Sequence, residues 1–269
     1  MEKLILGSGV SDSRSASGKT RFCEFSFVVK KGHSECGDSA FVYCDERKLI
    51  AAVLDGVSGD PGAALASSDA ANAILDSLKG EETIDQKKLE DAFTKGHCAI
   101  RLGSTTVSLL FLKNDGSFVI AGIGDSPIFS IDEKEQISLE LPMARIVGDD
   151  DSILKFLYFR NMVTSVLGSI GEIKINIRSG KLKEGETFII ASDGLSDNLF
   201  FEVENGYVKD CSGITDLKAI LSGKKPAKAI TKALIDEIEK RLQKGKIEEK
   251  NRLLVPKDDD ISIIAIRRI

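Results

Sequence analysis

The feature that most constrains this chain is the placement of its aspartates at the ends of apolar strands. Asp55 closes LIAAVLD (49–55), Asp125 follows FVIAGIG (118–124), and Asp193 closes FIIASD (188–193). Asp38 stands just before SAFVYC (39–44), and Asp258, Asp259 and Asp260 stand just before ISIIAI (261–266). In an antiparallel sheet the finish of one strand lies beside the start of its neighbour. All of these positions can therefore share one edge. Carboxylates gathered there resist ionising unless a cation neutralises them, and an all-oxygen donor set favours Mg2+ or Mn2+ over zinc. The competing reading of each position is turn chemistry, since Asp and Asp-Gly are common where strands end.

The periodicity predicts the frame that would carry such an edge. FCEFSFVVK (22–30) alternates, with Cys23, Phe25, Phe27 and Val29 on the parity expected to be buried. KLIAAVLD (48–55) is apolar along nearly its whole length, as in a strand covered on both faces. Further strands are expected at 104–113, 116–124, 126–132, 173–179, 186–193 and 261–269, with Asn114-Asp115-Gly116 as a hairpin turn. One helix is expected from Asp60-Pro61 to Gly80 and a second from Asp85 to Ile100, weakened at Gly96. A third spans 226–243, with Ile230, Leu234, Ile238 and Leu242 as its apolar stripe. Hairpin-linked strands with segregated helices predict an α+β fold, with two mainly antiparallel sheets face to face and helices outside.

The rest of the chain is less regular. Residues 1–20, rich in Ser and Gly, read as a flexible arm or an added edge strand, and 21–269 as a single domain. Residues 141–162 suit a mobile insertion whose helix is capped by Asp149, Asp150 or Asp151. KRLQKGKIEEKNR (240–252) reads as a solvated face and loop, and His97 as structural.

Composition removes several function classes. The 269 residues carry 37 Lys+Arg against 42 Asp+Glu, a net charge of −5, which argues against general nucleic-acid binding. No apolar run approaches the ~18 residues of a membrane span, so no membrane partner is expected. Five cysteines without a CxxC pair read as free thiols in a reducing cytosol, and only two histidines accompany them, which argues against a zinc site.

Six segments occur in one order: GDSAFV (37–42), VLDGVSG (53–59), GSTTVSLLFL (103–112), AGIGDSPIFSI (121–131), ASDGLSDNL (191–199) and DDISIIAI (259–266). VTSVLG (163–168) lies between the fourth and fifth of them, before the penultimate block. From about residue 33 to the C-terminus this order resembles the type 2C family of metal-dependent protein serine/threonine phosphatases, in a bacterial or archaeal form. The resemblance implies a four-layer α-β-β-α sandwich. It implies a cytoplasmic signalling hydrolase that removes phosphate from phosphoserine or phosphothreonine in proteins. Attack would come from a water held between two Mn2+ or Mg2+ ions.

The resemblance also implies residue roles. Asp55 matches the acid bridging both ions and Gly56 the residue lending its backbone carbonyl. Asp193 matches the acid of the SDG block, and Asp38 the second acid of a Glu-Asp pair. Asp259 matches the first acid of the last block, in a register blurred by its neighbours Asp258 and Asp260. Asp125 matches an acid at a third, weaker ion position in some members. Asp38, Asp55 and Asp193 are thus the expected catalytic residues. Three departures stand out. Val57 replaces a His that serves as general acid in eukaryotic members, and Gly37 replaces the first acid of the pair. His33 falls where the family has a phosphate-binding Arg, and is otherwise a solvated turn histidine beside Lys30 and Lys31. These departures keep two alternatives open: a regulator phosphatase of the stress or sporulation type with a single partner, and a weak phosphoprotein-binding pseudophosphatase.

Overall fold

The structure, a computed structural model, describes residues 3–6 (as backbone), 14–32, 36–170, 173–223 and 225–269. Among these residues the strands are, in chain order, β1 (Lys3–Leu6), β2 (Arg14–Lys19), β3 (Cys23–Lys30), β4 (Ser39–Cys44), β5 (Lys48–Leu54), β6 (Val107–Lys113), β7 (Ser117–Ile123), β8 (Ile128–Ile131), β9 (Ile137–Leu139), β10 (Asn176–Lys181), β11 (Thr187–Ala191), β12 (Phe201–Glu204), β13 (Tyr207–Asp210), β14 (Ile247–Glu249), β15 (Arg252–Leu254) and β16 (Ile261–Arg268). The helices are α1 (Ala63–Leu78), α2 (Gln86–Ala99), α3 (Ile153–Phe159), α4 (Asp193–Ser196), α5 (Ile214–Leu221) and α6 (Ala227–Lys244).

Two antiparallel sheets carry the fold, in the orders β1-β4-β5-β6-β7-β10 and β2-β3-β16-β11-β8-β9. Their facing surfaces enclose one core, in which Phe25, Phe27 and Val29 of β3 meet Ala51 and Val53 of β5 and Ile264 and Ile266 of β16. That is the parity expected of β3. The alternate residues of β5, Ile50, Ala52 and Leu54, pack instead under α1 and α2 with Ile74, Leu78, Leu89 and Phe93. On the far side, Ile230, Leu234 and Ile238 of α6 cover Ile189, Ile263 and Ala265 with help from Leu217 of α5. The layers are therefore helices, sheet, sheet and helices. Each fully buried Leu, Ile or Phe in them contributes roughly 1.5–3 kcal/mol.

Several local expectations are corrected. Helix α1 begins at Ala63 with Gly62 at its N-cap, φ +92°, and Asp60 lies outside the helix, accepting from Ser104 Oγ at 2.7 Å. Gly96 marks the close approach of α2 to α1: a Cβ there would sit 2.9 Å from Ile74 Cγ1. His97 accepts a bond from the Gly168 amide at 3.1 Å, tying α2 to the VTSVLG turn.

The largest correction is a third, four-stranded sheet, β13-β12-β15-β14. Its β12–β13 hairpin turns at Asn205-Gly206, φ +52° and +86°, the left-handed pair that a type I′ turn requires. The stretch 240–252, read as a solvated face and loop, supplies the end of α6, then β14 and the first residue of β15. Helix α3 covers this sheet, joining Phe156 to Phe201, Val208 and Leu253. Its N-cap is Ser152, which accepts from the Lys155 amide. The aspartates expected to cap it reach elsewhere: Asp149 accepts from the Cys211 amide, Asp150 pairs with Lys209, and Asp151 accepts from Gly148 and pairs with Lys155. The 141–162 segment is thereby laced to β13.

Arg241 of α6 locks the far layer. Its guanidinium forks onto Asp216 of α5 at 2.5 and 2.9 Å and donates to the Asn198 carbonyl at 2.8 Å, all three groups buried. Replacing Arg241 by Ala leaves the Asp216 charge buried without its partner. The expected loss, read by urea unfolding of the metal-free protein, is about 3–5 kcal/mol.

Candidate metal centre

The sheet registers explain why distant acids meet. In the first sheet, Ser39 of β4 pairs with Leu54 of β5, and Val107 of β6 with Ile123 of β7. The residues just outside these pairs, Asp38, Asp55 and Asp125, therefore lie along one edge. In the second sheet, Ala191 of β11 pairs with Ile263 of β16, and Ile261 of β16 with Lys30 of β3. Asp193, Asp259 and Asp260 follow or precede those strands on the edge facing the first set. Across the two sheets, the Asp193 amide donates to Asp55 Oδ2 at 3.3 Å. Gly194 is required by the close packing of α4 on the start of β16, since a Cβ there would lie 2.0 Å from the Asp260 carbonyl oxygen.

The sequence-predicted residues fall in distinct surroundings. Asp38 is 1% exposed, and its Oδ2 has no hydrogen-bond partner among the described residues; the same holds for the buried Ser262 Oγ nearby on β16. Burial pushes Asp38 up to about 8, with the charges of Asp260 and Asp193 adding to the shift. Asp55 is raised well above the carboxylate range by burial, then by Asp193, Asp38 and Asp125. Its backbone is fixed by Thr105 Oγ1, which donates to the Asp55 carbonyl at 2.8 Å. Gly56 is buried beside the other edge loop, its amide donating to the Gly37 carbonyl at 3.3 Å.

The three consecutive aspartates separate by role. Asp258 is exposed. Asp260 accepts the Gly32 and Gly37 amides at 2.7 and 2.6 Å, one on each oxygen, and so anchors both ends of the segment between β3 and β4. Asp259 faces the cluster, 2.5 Å from Lys257 Nζ. His33 lies outside the described residues.

Three residues that sequence reasoning passed over complete the cluster. Asp197, four residues after Asp193 on α4, is fully buried. Arg145 is 3% exposed and bridges Asp125 at 2.8 Å and Asp197 at 3.0 Å, with Ser196 Oγ also at 3.0 Å. Burial raises Asp125 to about 6 despite this guanidinium. Lys257 Nζ lies 3.3 Å from Asp193, 3.8 Å from Asp197 and 2.5 Å from Asp259. Burial opposes its charge, yet those carboxylates raise the lysine above its ordinary range. The i,i+4 spacing of Asp193 and Asp197 and the same-parity spacing of Lys257 and Asp259 were visible signals; nothing local marked Arg145.

As they stand, no three His, Cys, Asp or Glu side chains among the described residues are arranged to grip a metal ion. Three of the acids converge on Lys257 instead. The donor chemistry nonetheless fits a hard divalent cation: oxygen donors only, an unpartnered carboxylate oxygen on Asp38, and two acids, Asp38 and Asp55, held from ionising by burial and then by neighbouring carboxylates.

A family model described as protein phosphatase 2C matches residues 30–234. No curated protein sequence matches the chain. Among solved structures, RsbX in complex with magnesium is 17% identical over 95% of this chain and 100% of that one, with a TM-score of 0.64. The serine/threonine phosphatase PstP/Ppp of Mycobacterium tuberculosis is 15% identical over 91% and 98%, with a TM-score of 0.61. The phosphatase domain and regulatory fragment of SpoIIE from Bacillus subtilis are 18% identical over 99% and 70%, also at 0.61. At these identities the likeness is one of fold.

The raised acids set a pH dependence. Asp38 ionises near 3.8 when unfolded and at about 8 when folded, so between those values the folded chain binds more protons. Stability of the metal-free protein then falls as pH rises through that window and is undiminished below it. The melting temperature should drop from about pH 5 to about pH 8, and Asp38→Asn should flatten the slope. A variant with the wild-type slope would contradict the burial argument.

Proposed function

We infer that this chain, which belongs to the protein phosphatase 2C family, hydrolyses phosphoserine or phosphothreonine esters in a protein partner with the help of divalent cations. The observation that carries the reading is the meeting of Asp55 and Asp193 from opposite sheets, 3.3 Å between amide and carboxylate, with Asp38 raised beside them. The magnesium in the RsbX structure supports dependence on a divalent cation. We assign two Mn2+ or Mg2+ ions to Asp38, Asp55, Asp193 and Asp259 with the Gly56 carbonyl. When bound, such ions supply the positive field that draws in a phosphate dianion and the Lewis acidity that lowers the pKa of a water.

The chain's own groups do the remaining work. Asp260 holds Gly32 after β3 and Gly37 before β4 by its two amide bonds. His33 is assigned to the substrate phosphate, for which an imidazolium is a weaker partner than an Arg fork. Arg145 offsets the charge of Asp125, which we therefore count as neutralised by the protein and not as a strong ligand of a third ion. Val57 offers no proton at the leaving oxygen, a loss typically of ~10²–10⁴-fold where a general acid serves.

A slow intrinsic reaction suits an enzyme that acts on one phosphorylated partner brought to it by docking. The likeness to RsbX and SpoIIE favours that narrower reading. The purified protein should release phosphate from a phosphoserine or phosphothreonine substrate only with Mn2+ or Mg2+. Asp193→Asn and Asp55→Asn should each abolish that release while keeping the far-UV circular dichroism of the wild type. Binding of a phosphoprotein without cation-dependent release would instead describe a pseudophosphatase. Millimolar Mn2+ should also raise the melting temperature, as binding to the folded state alone requires.

A further inference from the structure

We propose that the Lys257 ammonium is a tethered cation that sits on Asp193 and Asp259 when no divalent ion is bound and is displaced when one binds. The inference rests on the assignment of those two acids to metal. Their oxygens lie 3.3 and 2.5 Å from Nζ, with Asp197 at 3.8 Å behind them. A divalent ion drawn to the same two carboxylates would lie within a few ångströms of the ammonium, and the two positive charges repel at that range.

The two ends of the lysine are built differently. Its backbone is clamped by Asn198, a fully buried side chain that accepts from the Lys257 amide at 3.2 Å and donates to its carbonyl at 2.9 Å. The same Asn198 amide donates to the Gly194 carbonyl at 2.9 Å, so Lys257 is anchored to the turn that carries Asp193. The base of the side chain is fixed, while the side chain as a whole is 21% exposed and its four-carbon stem is flexible. Arg145 is the contrasting case: its side chain is 3% exposed and held by Asp125, Asp197 and Ser196 together. One cation is thus permanent and the other exchangeable.

Two consequences follow. Without metal, the ammonium offsets the repulsion between Asp193 and Asp259. With metal, part of the binding free energy goes into expelling it, which lowers the apparent affinity by the fraction of molecules in which the lysine is already withdrawn. Lys257 thereby sets the cation concentration at which the centre loads.

The test compares wild type with Lys257→Met, which keeps the stem and removes the charge, and Lys257→Arg, which keeps the charge. Mn2+ binding is measured by calorimetry without substrate, and metal-free melting is measured in parallel. Lys257→Met should bind Mn2+ about tenfold or more tightly and melt at a lower temperature without metal. Lys257→Arg should stay closer to wild type in both. In the unaltered protein, the rate of acetylation of Lys257 relative to Lys209, read by mass spectrometry, should rise on adding Mg2+. That measurement does not depend on a variant folding. Equal or weaker Mn2+ binding by Lys257→Met, or a labelling rate indifferent to Mg2+, overturns the proposal. If wild type binds Mn2+ and Lys257→Met binds it equally, the metal assignment stands and the displacement alone fails. If neither binds Mn2+, both fall.

Discussion

Repulsion among buried carboxylates is the constraint around which this molecule is arranged. Two antiparallel sheets present strand ends at a common edge, where burial raises Asp38, Asp55, Asp125 and Asp197 and the charge of Asp193 adds to each shift. Such a cluster persists in a folded protein only where positive charge or hydrogen-bond donors answer it. The chain answers in three ways. Backbone amides satisfy Asp260, a buried guanidinium bonds Asp125 and offsets the charge of Asp197, and the Lys257 ammonium spans Asp193 and Asp259. These answers are graded from fixed to movable.

The sandwich was legible because its signals are local. The alternation Cys23, Phe25, Phe27, Val29 and the continuous apolar run of β5 each state which faces are covered, and both are realised in the cores. The helix stripe of α6 is equally plain. The third sheet was illegible for the opposite reason. Its strands are only three or four residues long, and β12 pairs with β15 from about fifty residues away in sequence, so no period develops. The Asn205-Gly206 hairpin signal was present but lacked long flanking strands.

The acids of the centre could be read because strand ends announce themselves; their counter-cations could not. Arg145 lies in an irregular segment and reaches Asp125 and Asp197 through tertiary folding alone. Asp149, Asp150 and Asp151 looked like helix caps because that is the local option for a carboxylate before a helix. The neighbouring hairpin outcompeted it by offering an amide at Cys211 and an ammonium at Lys209, leaving Ser152 to cap. In each case a long-range partner overrode a correct short-range preference.

The lacing of 141–162 to β13 gives the acid cluster a mechanical lead to the outer surface. From Arg145 to Asp149, whose carboxylate holds the Cys211 amide, the chain takes four residue steps, a reach of about 14 Å at full extension. Little slack is stored in so short a strap. A protein that grasped the outer hairpin and pulled it away from the sandwich would take up that slack first. It would then tug the guanidinium seated between Asp125 and Asp197, converting a distant handhold into a change of electric field at the heart of the fold.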